Sequence, residues 1–178
     1  MSFLLDVRDL VGDPGTSRRA SVEAPVAGLS TELSRVPQDR PVRADVLIEA
    51  LVEGLLVSGE LSGTVSATCA RCLTAFEAPF RLEVEERFVP VAGPGTEDPD
   101  AYPLPADGVI DLEPVVRDAV IPAMPFSPLC RPDCEGLCPR CGGDRNLGEC
   151  RCGPEVADHR WTALADIEFP DEARERAN

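Results

Sequence analysis

Lysine is absent from this chain of 178 residues, and all 17 of its basic residues are arginine. Histidine occurs once, at His159, so the imidazole-rich ligand sets usual for catalytic zinc have no material here. Aromatic residues make up only 4% of the chain, so Val, Leu, Ile and Ala must fill most of any core. No apolar run approaches the ~20 residues that span a bilayer. The opening Met1-Ser2-Phe3-Leu4-Leu5-Asp6 has no basic start, and Asp6 interrupts its short apolar run, unlike a secretory signal. There is no Walker loop, nucleophile elbow or paired-carboxylate motif. Together these absences predict a soluble cytoplasmic protein that is not an enzyme.

What is present in excess is acid. The 32 acidic residues leave a formal net charge of −15, which repels phosphate backbones and attracts basic proteins or polycationic tails. The excess is uneven. Residues 83–118 hold ten acids against Arg87 and Arg117, and Glu85, Glu86, Glu97, Asp98 and Asp100 are the candidate contacts for a basic partner. Residues 129–153 instead balance Arg131, Arg140, Arg145 and Arg151 against four acids, so any contact with RNA is expected at those arginines.

Hydrophobic patterning predicts an α+β chain that is mostly β. An antiparallel sheet or partly open barrel is expected, with one or two short helices and a C-terminal metal-binding segment. Val42, Ala44, Val46 and Ile48 alternate with more polar neighbours, which is the period of a strand with one buried face. Phe3–Leu10, Arg18–Val26, Val57–Thr68 and Phe76–Val89 read as further strands, with a loop-rich stretch over 27–41. The β-rich domain is expected over 1–90, followed by an acidic, Pro- and Gly-broken mobile loop over 91–108 that is too polar to pack. A helix packing on the β domain is expected over 109–125. Asp111 would cap it, Leu112, Val115, Val116, Ala119 and Val120 would form its apolar face, and Pro122 and Pro125 would end it. A cysteine-rich module over 126–155, a short helix over 156–169 carrying Trp161, and a disordered tail over 170–178 complete the expected order.

The eight cysteines carry the chemistry. Cys69 and Cys72 form C-x2-C at a turn between two expected strands, and Cys130, Cys134, Cys138, Cys141, Cys150 and Cys152 follow 57 residues later. Close pairs on tight turns are how four thiolates are brought to a tetrahedral zinc ion, and eight cysteines equal two such sites. Disulfides suit an oxidising compartment, to which nothing in the sequence points. Redox chemistry at Cys69-Ala70-Arg71-Cys72 would want a strand-to-helix setting rather than a turn between strands. By spacing, Cys138, Cys141, Cys150 and Cys152 form a compact site. Cys69 and Cys72 are left to meet Cys130 and Cys134 across the sheet.

The run Cys69-Ala-Arg-Cys-Leu-Thr-Ala-Phe76 resembles the C-x-R-C-L signature of the YceD-like proteins. Leu5-Asp6-Val7-Arg8-Asp9-Leu10, Ile110-Asp111-Leu112, the stretch from Cys130 to Gly142 and Trp161-Thr-Ala-Leu164 extend the resemblance over nearly the whole chain. These are the large ribosomal RNA subunit accumulation proteins of bacteria and plastids, and the cysteine-rich stretch resembles their metal-binding subtype. The sequence departs from the family around Asp144–Gly148, where an asparagine-rich turn is more usual. The resemblance implies a non-enzymatic role in the accumulation or processing of large-subunit ribosomal RNA. It also implies two structural Zn2+ ions and partners among large-subunit ribosomal proteins or pre-ribosomal particles. Variation among members favours Cys69, Cys72, Cys130 and Cys134 as one site and the later four as the other. Direct RNA binding by the zinc module and thiol redox chemistry are the competing readings.

Overall fold

The computed structural model describes residues 3–90, 100–153 and 160. They fall into two compact units, Met1–Gly136 and Leu137–Asn178. The expected helix over 156–169, the tail over 170–178, His159, Glu97 and Asp98 lie outside the described residues. Among the described residues, no helix is long and apolar enough to cross a membrane.

The first unit is mostly β. Strands β1 (Leu4–Asp6), β2 (Ser17–Ala24), β3 (Ser34–Arg35), β4 (Val42–Leu51), β5 (Gly54–Thr68), β6 (Ala75–Pro90), β7 (Tyr102–Leu104) and β8 (Val109–Asp111) precede one helix, α1 (Glu113–Ala123). The larger sheet has the order β2-β4-β5-β6-β7 with β3 beside β5, and it stays open rather than closing into a barrel. Its pairs are antiparallel except β6 with β7, while β1 and β8 form a separate two-stranded ribbon.

Register follows from which residues are apolar. In β4, Val42, Ala44, Val46, Ile48 and Ala50 all turn to the core, since side chains two apart share a face. Opposite them, Ala44 pairs with Leu61, Ile48 with Val57 and Ala50 with Leu55. Leu61 and Leu55 in turn face Leu82 and Phe88 of β6. A slip of one residue would turn this whole apolar set to solvent. Val115, Val116 and Val120 of α1 and the buried Ile110 and Leu112 join the same core.

The β5–β6 hairpin is the longest pairing in the sheet and reaches past its neighbours. Its strands have 15 and 16 residues, but β4 pairs with β5 only as far as Ser62. The distal half, Gly63–Thr68 against Ala75–Phe80, runs on beyond β4 and carries the turn that holds Cys69 and Cys72. Gly63 leaves room there for an aromatic ring. The Phe80 ring lies over its backbone, and a Cβ would come within 2.8 Å of that ring.

Three local expectations change. Tyr102–Leu104 lies in the segment read as too polar to pack, yet it pairs in parallel with Phe88–Pro90. Tyr102 stacks on Phe88 at 5.4 Å and Leu104 is buried, so tertiary apolar contact overrides the surrounding Pro, Gly and acid. Pro122 lies inside α1 instead of ending it. In the last turn the missing N–H removes one helical bond, and the chain extends at Met124, ahead of Pro125. Leu112, not Asp111, occupies the cap position of α1, although Asp111 Oδ1 accepts the Glu113 N–H at 2.9 Å.

Candidate metal centres

The eight cysteines gather into two quartets, Cys69, Cys72, Cys130 and Cys134 in the first unit and Cys138, Cys141, Cys150 and Cys152 in the second. Within each quartet all four Sγ atoms lie within 4.8 Å of one another. Four thiolates at ~2.3 Å from a tetrahedral ion such as zinc must sit about 3.8 Å apart along each edge. Cys69 and Cys134 are 3.8 Å apart, and Cys72 and Cys130 are 3.6 Å apart. A disulfide needs a separation of about 2.05 Å. The sulfur spacing therefore fits a metal ion, and both tetrads could hold one.

Both sites are built on the same turn. Cys69-Ala-Arg-Cys72 and Cys138-Pro-Arg-Cys141 are each followed by a left-handed residue, Leu73 at φ 61° and Gly142 at φ 71°. In the first, Leu73 N–H donates to Cys69 O (2.9 Å) and Cys69 N–H to Thr74 O (2.9 Å). In the second, Gly142 N–H donates to Cys138 O (2.8 Å) and Cys138 N–H to Gly143 O (2.9 Å). This double closure folds the backbone under the two sulfurs and aims amide N–H groups at the first of them. The consequence is electrostatic. The backbone N–H of Cys72 draws the Cys69 thiol down to about 6 against its burial, and the N–H of Cys141 draws Cys138 down to about 6. Cys72 is also lowered, by its hydrogen bond to Thr74 Oγ1 at 3.3 Å.

The second halves differ. Cys130 and Cys134 come from the segment after α1, and Cys134 is tied in because Arg71 Nη1 donates to its carbonyl at 2.8 Å. Ala70 N–H donates to Pro128 O at 2.8 Å. Gly136, at φ 73°, packs where a Cβ would meet Arg71 O at 2.8 Å. Desolvation of its sulfur pushes Cys130 up to about 12, and the neighbouring thiols of Cys72, Cys69 and Cys134 add to the rise. In the second unit, Asp144 Oδ1 accepts the Asn146 N–H at 2.8 Å and left-handed Gly148 closes a short 3-10 turn, Arg145–Leu147. That turn reverses the chain so that Cys150 and Cys152 meet Cys138 and Cys141. Neighbouring thiols, Cys141 foremost, push Cys152 up to about 12.

Burial separates the two. In the first tetrad Cys69, Cys72 and Cys134 are buried and only Cys130 is exposed, whereas in the second Cys138 alone is buried and Cys141 and Cys152 are exposed.

The other candidate residues are scattered. Arg131 lies in the first unit beside Asp133 at 3.4 Å, while Arg140, Arg145 and Arg151 are exposed on the second. Glu85 and Glu86 stand on opposite faces of β6, and Asp100 precedes β7. Arg71 and Thr74, which support the first tetrad, are missed by reasoning from cysteine spacing alone. The repeated C-x-R-C was the available signal for Arg71.

The family model described as "Large ribosomal RNA subunit accumulation protein YceD" matches residues 57–168. Uncharacterized proteins of Mycobacterium bovis and Mycobacterium tuberculosis are each 34% identical over 154 residues, covering 82% of this chain and 70% of theirs. One of Mycobacterium leprae is 31% identical over 171 residues, covering 94% and 78%. No solved structure matches significantly. The chain belongs to the YceD family, whose description implies a role in the accumulation of large-subunit ribosomal RNA.

Proposed function

We propose that this chain is a non-enzymatic factor for large ribosomal subunit production. In this reading each tetrad holds a structural zinc ion, and the protein acts in the cytoplasm through contacts with basic ribosomal proteins or pre-ribosomal particles. Sulfur spacing supports zinc, because edges of 3.6 and 3.8 Å match four thiolates around an ion of that size. Four thiolates fill a tetrahedral shell and leave no position for water or substrate, so the role is structural. A reducing cytoplasm keeps such thiols available.

Charge chooses between protein and RNA as the partner. Residues 137–153 contain three arginines and two acids, which favours an RNA reading at first sight. Four thiolates around a divalent ion add a net charge of about −2, which reverses that small surplus. The first unit, with 23 acids against 11 arginines over residues 1–136, repels phosphate more strongly still. Basic protein surfaces are the better match.

The test is affinity purification from growing cells, with and without ribonuclease. Large-subunit proteins should survive ribonuclease. Loss of everything after ribonuclease would transfer the function to direct RNA binding, where Arg140→Ala or Arg151→Ala should flatten the salt dependence of binding. A fast-alkylating Cys69 in the metal-loaded protein would favour thiol redox chemistry instead.

A further inference from the structure

The distal half of the β5–β6 hairpin faces the segment that leads from α1 to Cys130 across an open apolar groove of about 600 Å³. Val65, Ala78 and Phe80 line one wall, and Met124, Leu129 and Pro132 line the other, with no charged side chain anywhere in the lining. That volume lies within the range of ordinary binding clefts. Phe126 stands in the same segment as the second wall and is 89% exposed. A large apolar side chain left in water next to an apolar groove marks an interaction surface rather than a core.

The groove is a product of the first tetrad. Its two walls come from residues about 60 apart in sequence, and the tetrad joins them, with Cys69 and Cys72 at the hairpin tip and Cys130 and Cys134 on the other wall. The hydrogen bond from Ala70 N–H to Pro128 O lies at the same junction.

Charge identifies the occupant. Arg40, Arg81 and Arg131 are paired with Glu77, Glu60 and Asp133. On β6, Glu86 shares the face of Phe80 and Leu82 and makes no ion pair among the described residues, whereas Glu83 and Glu85 point to the opposite face. The unit as a whole carries twelve more acids than arginines. A second copy of the chain would bring the same negative charge and be repelled.

We propose that the groove between the distal β5–β6 hairpin and residues 124–132 docks a polypeptide segment rich in Lys and Arg that anchors itself by a few apolar side chains. The inference rests on the protein-contact reading above and supplies its surface. Apolar anchors fill the groove, and flanking cations meet the acidic unit.

Binding of a fluorescein-labelled peptide of alternating Lys and Leu to the metal-loaded full chain tests this by anisotropy, with Lys/Ser and Glu/Leu peptides as controls. The Lys/Leu peptide should bind, weaken with salt, and lose at least about tenfold in affinity to Ala78→Gln, which puts a neutral polar side chain into the groove. Phe126→Ala, at an exposed site that carries no folding risk, should weaken binding by about threefold. Equal binding of Lys/Leu to Ala78→Gln and to the parent would overturn the proposal. So would Lys/Ser binding as tightly as Lys/Leu (surface charge alone), or Glu/Leu doing so (an apolar site without charge preference). If Ala78→Gln fails to fold, an unchanged affinity in Phe126→Ala overturns it. Peptide binding without recovery of ribosomal proteins from cells would leave the groove standing and remove only its ribosomal occupant.

Discussion

The two tetrads begin with the same turn and end as different devices. Each starts with C-x-R-C, a left-handed residue and the same pair of backbone hydrogen bonds, and in each the first thiol is held at about 6. In the first unit that turn caps a long hairpin and is completed by cysteines that follow after 57 intervening residues. In the second the whole site lies between Cys138 and Cys152, completed by one short turn. A cross-link that joins distant segments removes more chain entropy than one that closes a short loop. The first tetrad therefore joins distant parts of a unit, whereas the second, among the described residues, closes one short loop.

Single-ligand variants test this most sharply. Cys69→Ser should halve the zinc content and lower the unfolding temperature of the first unit by more than about 10 °C, since structural zinc is worth ~10–16 kcal/mol in finger peptides. Cys150→Ser should also halve the zinc content yet leave that transition within about 2 °C of the parent. Zinc content by elemental analysis with calorimetry on both variants reads the contrast. Full zinc in Cys69→Ser would refute the assignment of Cys69 to the first tetrad.

Acidification should weaken metal binding at both. A thiol binds metal only as thiolate, so every proton held by the empty site must be expelled on loading. Cys130 in the first tetrad and Cys152 in the second hold their protons up to about 12, Cys150 is raised as well, and the first thiol of each tetrad ionises at about 6. Between those values loading expels at least the proton of Cys130 from the first tetrad and of Cys152 from the second, so affinity falls as pH falls. Below about 6 the first thiol protonates too, and each affinity should fall about tenfold more steeply per pH unit. Competition with a chromophoric chelator between pH 5 and pH 8 measures both slopes, and the second tetrad, where Cys150 and Cys152 are both raised while Cys72 of the first is lowered, should show the steeper one. Rates should differ too. The second tetrad opens two thiols to a chelator, Cys141 and Cys152, where the first opens only Cys130, so release should be biphasic. The fast phase should vanish in Cys150→Ser.

Much of this contrast is written in the cysteine spacing and in the alternation of β4, where period two and burial coincide. The repeated C-x-R-C announces two equivalent turns. Other features are not local properties and could not be read that way. Tyr102–Leu104 pairs because Phe88 is there to receive Tyr102, and its own neighbours argue against a strand. Pro122 stays helical because its lost bond falls in the last turn. The groove between Ala78 and Leu129 depends on a tetrad bringing distant walls together, and neither wall has a periodic signal that predicts it.

The smallest expected effects isolate backbone from packing in the shared turn and in the segment that packs on it. Gly136 and Gly142 both hold left-handed conformations, at φ 73° and φ 71°, but only Gly136 is crowded. At Gly142 nothing lies within 4 Å of an added Cβ, so Gly142→Ala should cost only the conformational penalty of about 1 kcal/mol. At Gly136 the same methyl meets the Arg71 carbonyl, a backbone atom that cannot swing aside, and Gly136→Ala should cost about twice as much. Leu73 already shows that the turn accepts a side chain at the equivalent of Gly142. Leu73→Gly should relieve its left-handed strain but loosen the unfolded chain, for a net change within about 0.5 kcal/mol. Denaturant unfolding of the three metal-loaded variants gives the ranking. Equal losses in Gly136→Ala and Gly142→Ala would mean that the approach of Gly136 to Arg71 contributes nothing to holding the first tetrad closed.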